Sequence, residues 1–160
     1  MHTPDQPQRL VSTSRVKGFT LIELLVAVVI VGVLAAVALP SFVDSIRKSR
    51  RADAFTAIAA IQQAQERWRG NNAAYTSSLT ALNTSSQSAS AYYTLAVSDA
   101  SASNYVVTAN AVDGKSQAQD GSCKVLAVQV LGGNLKYGSG ALAPIVWTAA
   151  EPDTGRCWAK

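Results

Sequence analysis

Few side chains in this sequence could carry out chemistry, and those that could lie at two places. Gly18 precedes an apolar run that contains one acid, Glu23, while Cys123 and Cys157 lie towards the other end. The single histidine, His2, stands in the polar start, so the rest of the chain lacks the commonest general base and metal ligand. Two cysteines are too few for a zinc site built of thiolates. We therefore expect no enzyme, no cofactor and no metal site.

The composition is that of a folded chain with an apolar anchor. Of the 160 residues, 48% are hydrophobic and 15% are charged, whereas disordered chains combine high charge with few apolar residues. The net charge is +4. The first 18 residues contribute +2 of it, because they contain three basic residues, Arg9, Arg15 and Lys17, and one acid, Asp5. The remaining excess is too small to indicate a nucleic-acid or anionic-membrane partner.

Residues 19–39 form a long apolar run. They read FTLIELLVAVVIVGVLAAVAL, with Glu23 as the only charged residue. At about 1.5 Å per helical residue, the run spans roughly 30 Å, the thickness of the hydrocarbon core of a bilayer. We expect a transmembrane helix. The alternative is a buried helix of a soluble domain, although such helices are rarely apolar on every face for this length.

Glu23 needs an explanation because a carboxylate in a membrane helix costs about 2.5–3.5 kcal/mol near the membrane centre and less near an end. Residues 20–23 fit a capping box, in which Glu23 would accept the backbone N–H of Thr20. A second explanation arises if the chain is cut after Gly18, since Phe19 then carries a positive amine. Glu23 would pair with that amine in a neighbouring subunit, offsetting the cost of two lone charges and fixing axial register.

The segment KGFTLIE, residues 17–23, resembles the cleavage and methylation signature of type IV prepilins. This resemblance implies that a prepilin peptidase cuts after Gly18, that Phe19 is N-methylated and that Glu23 guides subunit docking. The short polar leader and Phe19 are similar to the type IVa class. Segments 50–54 (RRADA), 65–72 (QERWRGNN) and 92–95 (YYTL), with the ending Cys157-Trp158, resemble the PilE-type minor pilins.

The resemblance implies an α+β fold, with a long N-terminal helix packed on a small antiparallel sheet of three to four strands. Residues 1–18 would be the cleaved leader, 19–39 the membrane and filament-core helix, and 40–160 the exported head. The implied partners are other pilin subunits, the prepilin peptidase and the inner-membrane pilus assembly machinery. The subunit would wait in the inner membrane with its N-terminus cytoplasmic, and then join an extracellular pilus.

Other interpretations of the N-terminal region stay open. An ordinary signal peptide could end at the AVA of residues 36–38, although Glu23 within its apolar region and Pro40 shortly after the cut argue against it. Basic residues flank the apolar run on both sides, so charge does not determine its orientation. A leader of 18 residues is longer than many in the type IVa class, and a start downstream of Met1 is an alternative.

Gly32 and Pro40 interrupt the anchor, because a proline removes a helical hydrogen bond and kinks the helix. We predict one kinked, continuous helix over residues 19–69, with Gly70 in the left-handed cap that ends it. Beyond the proline, apolar residues recur at spacings of three, four, seven and eight, which indicates a helix face that packs on a sheet. This face comprises Phe42, Ile46, Ala54, Ile58, Ile61, Ala64 and Trp68.

The remainder of the head is predicted from turn residues and short alternating segments. Residues 75–91 are rich in serine, threonine and alanine and indicate a solvated connecting loop. Strands are predicted over 92–98, 104–110 and 124–131, followed by a turn at 132–134 and a short return strand over 135–137. These strands would form an antiparallel meander over the apolar helix face.

Cys123 and Cys157 are predicted to form a disulfide, since an exported chain with two cysteines most simply pairs them. Closing a loop of this length would add about 3–4 kcal/mol to stability in the chain-entropy description. The bond would attach the C-terminal segment to the start of the third strand. In type IV pilins, which the chain resembles, a disulfide bounds a variable C-terminal surface region.

The leading functional hypothesis is a minor pilin, in a filament that serves adhesion, twitching motility or DNA uptake. A competence-type DNA receptor is the first alternative, with a basic aromatic surface comprising Lys115, Lys124, Lys136, Tyr137, Arg156, Trp158 and Lys160. A type II secretion pseudopilin is the second, with Glu151 and Asp153 as candidate calcium ligands, although two acids beside a proline more often form a plain turn.

Overall fold

A computed structural model describes residues 18–147 and 152–158 of the chain. It divides into two compact units, Met1–Leu39 and Pro40–Lys160. The predictions that concern residues 1–17, Glu151 and Lys160 lie outside the described residues.

One helix, α1, runs through Leu21–Arg69 and contains Pro40, so the prediction of a continuous helix is confirmed. In the first unit the helix consists almost entirely of apolar residues, and nearly all of their side chains are exposed. Its most apolar stretch has a mean hydropathy of 2.9 and is long enough to cross a membrane. Helices of this kind satisfy their own backbone hydrogen bonds, as a lipid environment requires.

In the second unit, four strands form one antiparallel sheet in the order β1-β2-β3-β4. They are β1 (Tyr93–Ser98), β2 (Asn104–Ala111), β3 (Val125–Leu131) and β4 (Asn134–Gly140). Two short 3-10 helices, η1 (Ser116–Gln119) and η2 (Gly121–Cys123), connect β2 to β3. The predicted α+β fold with a four-stranded meander is confirmed, and β4 is longer than the predicted return strand.

The β3–β4 hairpin turns through Gly132 and Gly133, whose φ angles are +56° and +81°. Leu131 pairs with Asn134 across this two-residue loop. Such turns favour glycine because both central residues have positive φ. The turn therefore sets the register of β4, which pairs Val128 with Tyr137 and Gln129 with Lys136.

The core lies between α1 and one face of the sheet. In β3, Leu126, Val128 and Val130 belong to it, together with Tyr105 and Val107 of β2. Because side chains alternate along a strand, residues 125, 127, 129 and 131 lie on the opposite face. That second face is called the outer face below.

The predicted apolar face of α1 is confirmed from Ala54 to Ala64 and is wrong at its N-terminal end, at Phe42. Ala54, Ile58, Ile61 and Ala64 are buried, whereas Phe42 is 65% exposed. Ile46 and Trp68, the other members of the predicted face, are partly buried. Gln65 is also fully buried, since its side-chain amide donates to Thr76 O and accepts the Thr76 N–H, at 2.6 and 3.1 Å.

The loop before β1 is more ordered than its composition indicates. Leu82 and Ser88 are buried, and Gln87 forms an isolated antiparallel bridge with Thr94 of β1. The backbone N–H of Leu95 donates to Ser86 O at 2.8 Å. The expectation of a fully solvated spacer is therefore wrong, because this loop protects the free edge of β1 and covers part of the core.

Candidate functional site

The predicted cleavage site lies at the junction between irregular chain and helix. Gly18, Phe19 and Thr20 are outside α1, which begins at Leu21. A Cβ atom on Gly18 would meet no described atom within 4 Å, and Phe19 is 81% exposed. The bond between Gly18 and Phe19 is therefore outside the helix and uncovered by the described residues, as accessibility to a peptidase requires. The site itself stays a prediction.

Glu23 lies in the first turn of α1, where only half of the predicted capping box forms. Thr20 Oγ1 accepts the backbone N–H of Glu23 at 3.3 Å. The reciprocal bond, from the Thr20 N–H to the Glu23 carboxylate, is absent from the part of the chain that the structure describes. Thr20 therefore caps the helix, and the Glu23 carboxylate keeps its capacity to accept a charged partner.

Gly32 and Pro40 both lie within α1, and a Cβ atom on Gly32 would meet no described atom within 4 Å. The helix continues through the proline, although the proline nitrogen cannot donate to the carbonyl one turn earlier. The kink predicted at these two residues stays a prediction.

Cys123 and Cys157 form the predicted disulfide, with Cα atoms 5.7 Å apart. The bond ties the C-terminal segment to η2, and this segment is also held to β4. Asp153 forms a bridge with Ser139, and the Ser139 N–H donates to Pro152 O at 3.1 Å. The C-terminal segment thus lies along the outer edge of β4 and covers part of it.

Trp158 is the aromatic anchor of this segment. Its ring stacks on Phe55 of α1 with centroids 4.7 Å apart and contacts Tyr137 at 5.0 Å. Its indole N–H donates to Gly138 O at 2.8 Å. Trp158 therefore connects α1 to β4, and its ring is occupied by contacts within the protein.

The basic aromatic surface predicted for a DNA receptor does not form as one surface. Tyr137 pairs with Val128 and faces the α1 side, whereas Lys136 pairs with Gln129 and lies on the outer face. Trp158 packs beside Tyr137 on the α1 side. Lys115, Lys124 and Arg156 lie in connecting segments, and Lys160 lies outside the described residues.

Asp153, a candidate calcium ligand of the pseudopilin alternative, already has protein partners. One carboxylate oxygen accepts from the Ser139 hydroxyl and from the Cys157 backbone N–H, the latter at 3.0 Å. Within the described residues, no group of three or more acidic, histidine or cysteine side chains could hold a metal ion. Asp153 therefore acts as a turn residue that supports the disulfide.

The sequence analysis did not predict the buried polar cluster that forms around Arg51 of α1. Arg51 donates two hydrogen bonds to the Asp120 carboxylate, at 2.8 and 2.7 Å, and these bonds raise the pKa of Arg51. Gln117 donates to Tyr93 OH at 2.8 Å and to Asp120 at 3.3 Å. Burial raises the pKa of Tyr93. This cluster fixes the connection between β2 and β3 to α1.

Comparison with known proteins yields two family matches. Residues 13–39 match the prokaryotic N-terminal methylation motif. Residues 40–127, more than half of the chain, match the family described as type IV minor pilin ComP, DNA uptake sequence receptor. The chain belongs to the ComP family of type IV minor pilins. The resemblance to type IV pilins is thereby confirmed.

Individual relatives of this ComP-family pilin are similar to it over short stretches. A fimbrial protein of Moraxella nonliquefaciens is 52% identical over 40 residues, covering 25% of this chain and 26% of its own length. The type IV major pilin protein PilA of Myxococcus xanthus is 44% identical over 52 residues, covering 32% and 24%. PilA5 of Thermus thermophilus, a type IV narrow pilus major component, is 46% identical over 50 residues, covering 31% and 43%.

The ComP-family pilin thus spans about a quarter to under half of the length of these relatives. The methylation motif and the apolar helix fit a pilin that is anchored in the inner membrane and then enters an extracellular pilus.

Proposed function

We propose that this chain is the precursor of a minor pilin that prepilin peptidase cleaves between Gly18 and Phe19. The new Phe19 amine is methylated, and the inner-membrane machinery then inserts the subunit among other pilins. The observation that carries this proposal is the part of α1 up to Leu39, which is apolar on nearly every side and contains one acid, Glu23. Such a surface is stable only in lipid or against other apolar helices.

Glu23 is the residue that fixes the subunit in register. Its carboxylate lacks an ion-pair partner in the described part of the chain, and it lies one turn from the amine that cleavage creates. Within an otherwise apolar assembly, a neighbour's Phe19 amine is the available cation. Burying either charge alone in an apolar environment costs free energy, whereas an ion pair offsets much of that cost. The pair therefore stabilises the one axial alignment of neighbouring subunits in which the carboxylate and the amine are in contact.

Mass spectrometry of the mature protein from membranes and sheared filaments tests this proposal. A chain that begins at Phe19 with one additional methyl group is the expected result. A chain that begins at Leu39 would instead establish ordinary signal-peptide export and refute the proposal.

A second function, DNA binding by the head, is favoured by the family match over residues 40–127. The proposal therefore includes DNA-receptor activity for this chain, the activity named in the description of that family. The test is binding of a fluorescent 30-base-pair duplex to the purified full-length chain in detergent micelles. Affinity should fall as salt rises, because bound phosphates release counterions. Lack of binding at low salt would contradict it.

The role of the chain is structural rather than catalytic. Among residues 18–147 and 152–158, two serine hydroxyls donate to a carboxylate, Ser98 to the adjacent Asp99 on the surface and Ser139 to Asp153. However, Ser139 is 2% exposed and its hydroxyl also accepts the Gly155 N–H at 3.2 Å. We assign the Ser139–Asp153 pair to holding the C-terminal segment.

A further inference from the structure

The outer face of the sheet has a distinct chemical character at the corner next to the β3–β4 turn. Gln129 of β3 lies between Val106 of β2 and Lys136 of β4, and Leu131 lies between Asn104 and Asn134. Since these residues share one parity along their strands, their side chains emerge on the face opposite to α1. We call this set the amide corner; it comprises Asn104, Gln129, Leu131, Asn134 and Lys136.

The amide corner contains no carboxylate. Indeed, the strands β1 to β4 contain one charged residue, Lys136, and no acid. Asn134 and Lys136 are exposed, Leu131 is 46% exposed, and Gln129 is partly exposed. A surface of this kind presents an ammonium and neutral amides without repelling a polyanion.

The polar groups of the corner are available to a ligand. Among the residues the structure describes, the side chains of Gln129, Asn134 and Lys136 have no hydrogen-bond or ion-pair partner. Asn104 accepts from the Ser103 hydroxyl at 2.7 Å, which leaves its amide N–H groups free. Asparagine and glutamine can bind adenine through two hydrogen bonds, lysine binds phosphate or guanine, and an apolar side chain contacts the thymine methyl group.

We propose that the amide corner contacts double-stranded DNA, with Gln129 and Asn134 at base edges, Lys136 at a phosphate and Leu131 at a thymine methyl group. This inference rests on the proposed DNA-binding function. Charge complementarity favours DNA as the occupant, since the four described strands carry no acid and their one charge, on Lys136, is positive. Residues 129–136 lie beyond the segment that matches the family, so the match assigns them no role.

The experiment uses the full-length chain in detergent micelles and duplexes with a randomised 12-base-pair centre. The unaltered chain should select a preferred sequence. Gln129→Ala or Asn134→Ala should relax that preference at one or two positions, with about tenfold weaker binding of the selected duplex. Lys136→Gln should weaken binding to all duplexes and lower the slope of log Kd against log salt by about one.

Two exposed residues of α1 provide matched controls, Gln63→Ala for the amides and Lys48→Gln for the lysine. Both controls should bind and select as the unaltered chain does, and thermal midpoints verify that each variant is folded. If the three corner variants also bind and select unchanged, the amide corner is refuted while DNA binding stands. If the unaltered chain binds no duplex at low salt, DNA binding fails and this inference fails with it.

Discussion

At the scale of single residues, Glu23 decides whether the apolar helix is an anchor only or also an assembly element. We predict that Glu23→Gln leaves cleavage after Gly18 intact but lowers incorporation into sheared filaments about tenfold or more. The amide keeps the shape and the cap from Thr20 Oγ1, which accepts a backbone N–H, but cannot pair with a neighbour's amine. Quantitative mass spectrometry of membrane and filament fractions measures this. Normal incorporation would remove the register role.

A second residue-scale prediction concerns Gly155, which lies against the disulfide. A Cβ atom there would press on Cys157 Sγ and lie 2.7 Å from Ser122 O. Gly155→Ala should therefore destabilise the head by about 1–3 kcal/mol, the usual cost of overpacking. Gly121→Ala is the control, because a Cβ atom at Gly121 meets nothing within 4 Å. Urea unfolding of both variants measures the difference in free energy of unfolding. Equal stabilities would show that the C-terminal segment around residue 155 can shift to accommodate a Cβ atom at little cost.

At the scale of elements, the Arg51–Asp120 pair holds the β2–β3 connection to α1, with side chains that are 13% and 8% exposed. We predict that Asp120→Asn destabilises the head by about 3–5 kcal/mol, because a buried guanidinium is left uncompensated. Asp44→Asn breaks an exposed pair with Arg47 and should cost about 0–1 kcal/mol. Urea unfolding of the two variants gives the comparison. Similar effects would mean that Arg51 finds another partner.

Helices and strands could be predicted from the sequence where the local spacing of apolar residues matches the residues that are buried in the fold. The strands follow alternation and turn residues, and the buried stretch from Ala54 to Ala64 follows a helical period. The local pattern did not indicate contacts with residues that lie elsewhere in the sequence, and it placed one exposed residue on the buried face. Gln65 is polar yet buried because Thr76 satisfies its amide, and Phe42 has the right spacing but is exposed. No local signal indicates that Arg51 meets Asp120, 69 residues later.

The site residues show the same division at the level of chemistry. The methylation motif could be recognised from adjacent residue types, and the disulfide from the presence of two cysteines. The roles of Gly18, Phe19 and Glu23 stay predictions. The amide corner could not be recognised from the sequence, because it joins residues from three strands and depends on register. The predicted basic aromatic surface failed for that reason, since Lys136 and Tyr137 are neighbours in sequence but lie on opposite faces of the sheet.

At the scale of the whole molecule, buried tyrosines make stability depend on alkaline pH. Burial raises the pKa of Tyr93 and of Tyr105 above the ordinary value of about 10. Above that pH the unfolded chain loses protons that the folded chain keeps, so the free energy of unfolding falls as pH rises. Below about pH 9, both states are protonated and these groups contribute no slope.

We therefore predict that the free energy of unfolding of the full-length chain in micelles declines between about pH 9.5 and 11. Tyr105→Phe should reduce that decline, because it removes one group whose pKa differs between the folded and unfolded states. Urea unfolding at each pH measures both proteins. The phenol oxygen of Tyr105 has no hydrogen bond to the described residues, so the variant keeps the packing of the ring against Tyr75. An unchanged pH dependence in Tyr105→Phe would show that Tyr105 ionises in the folded state as readily as in the unfolded one.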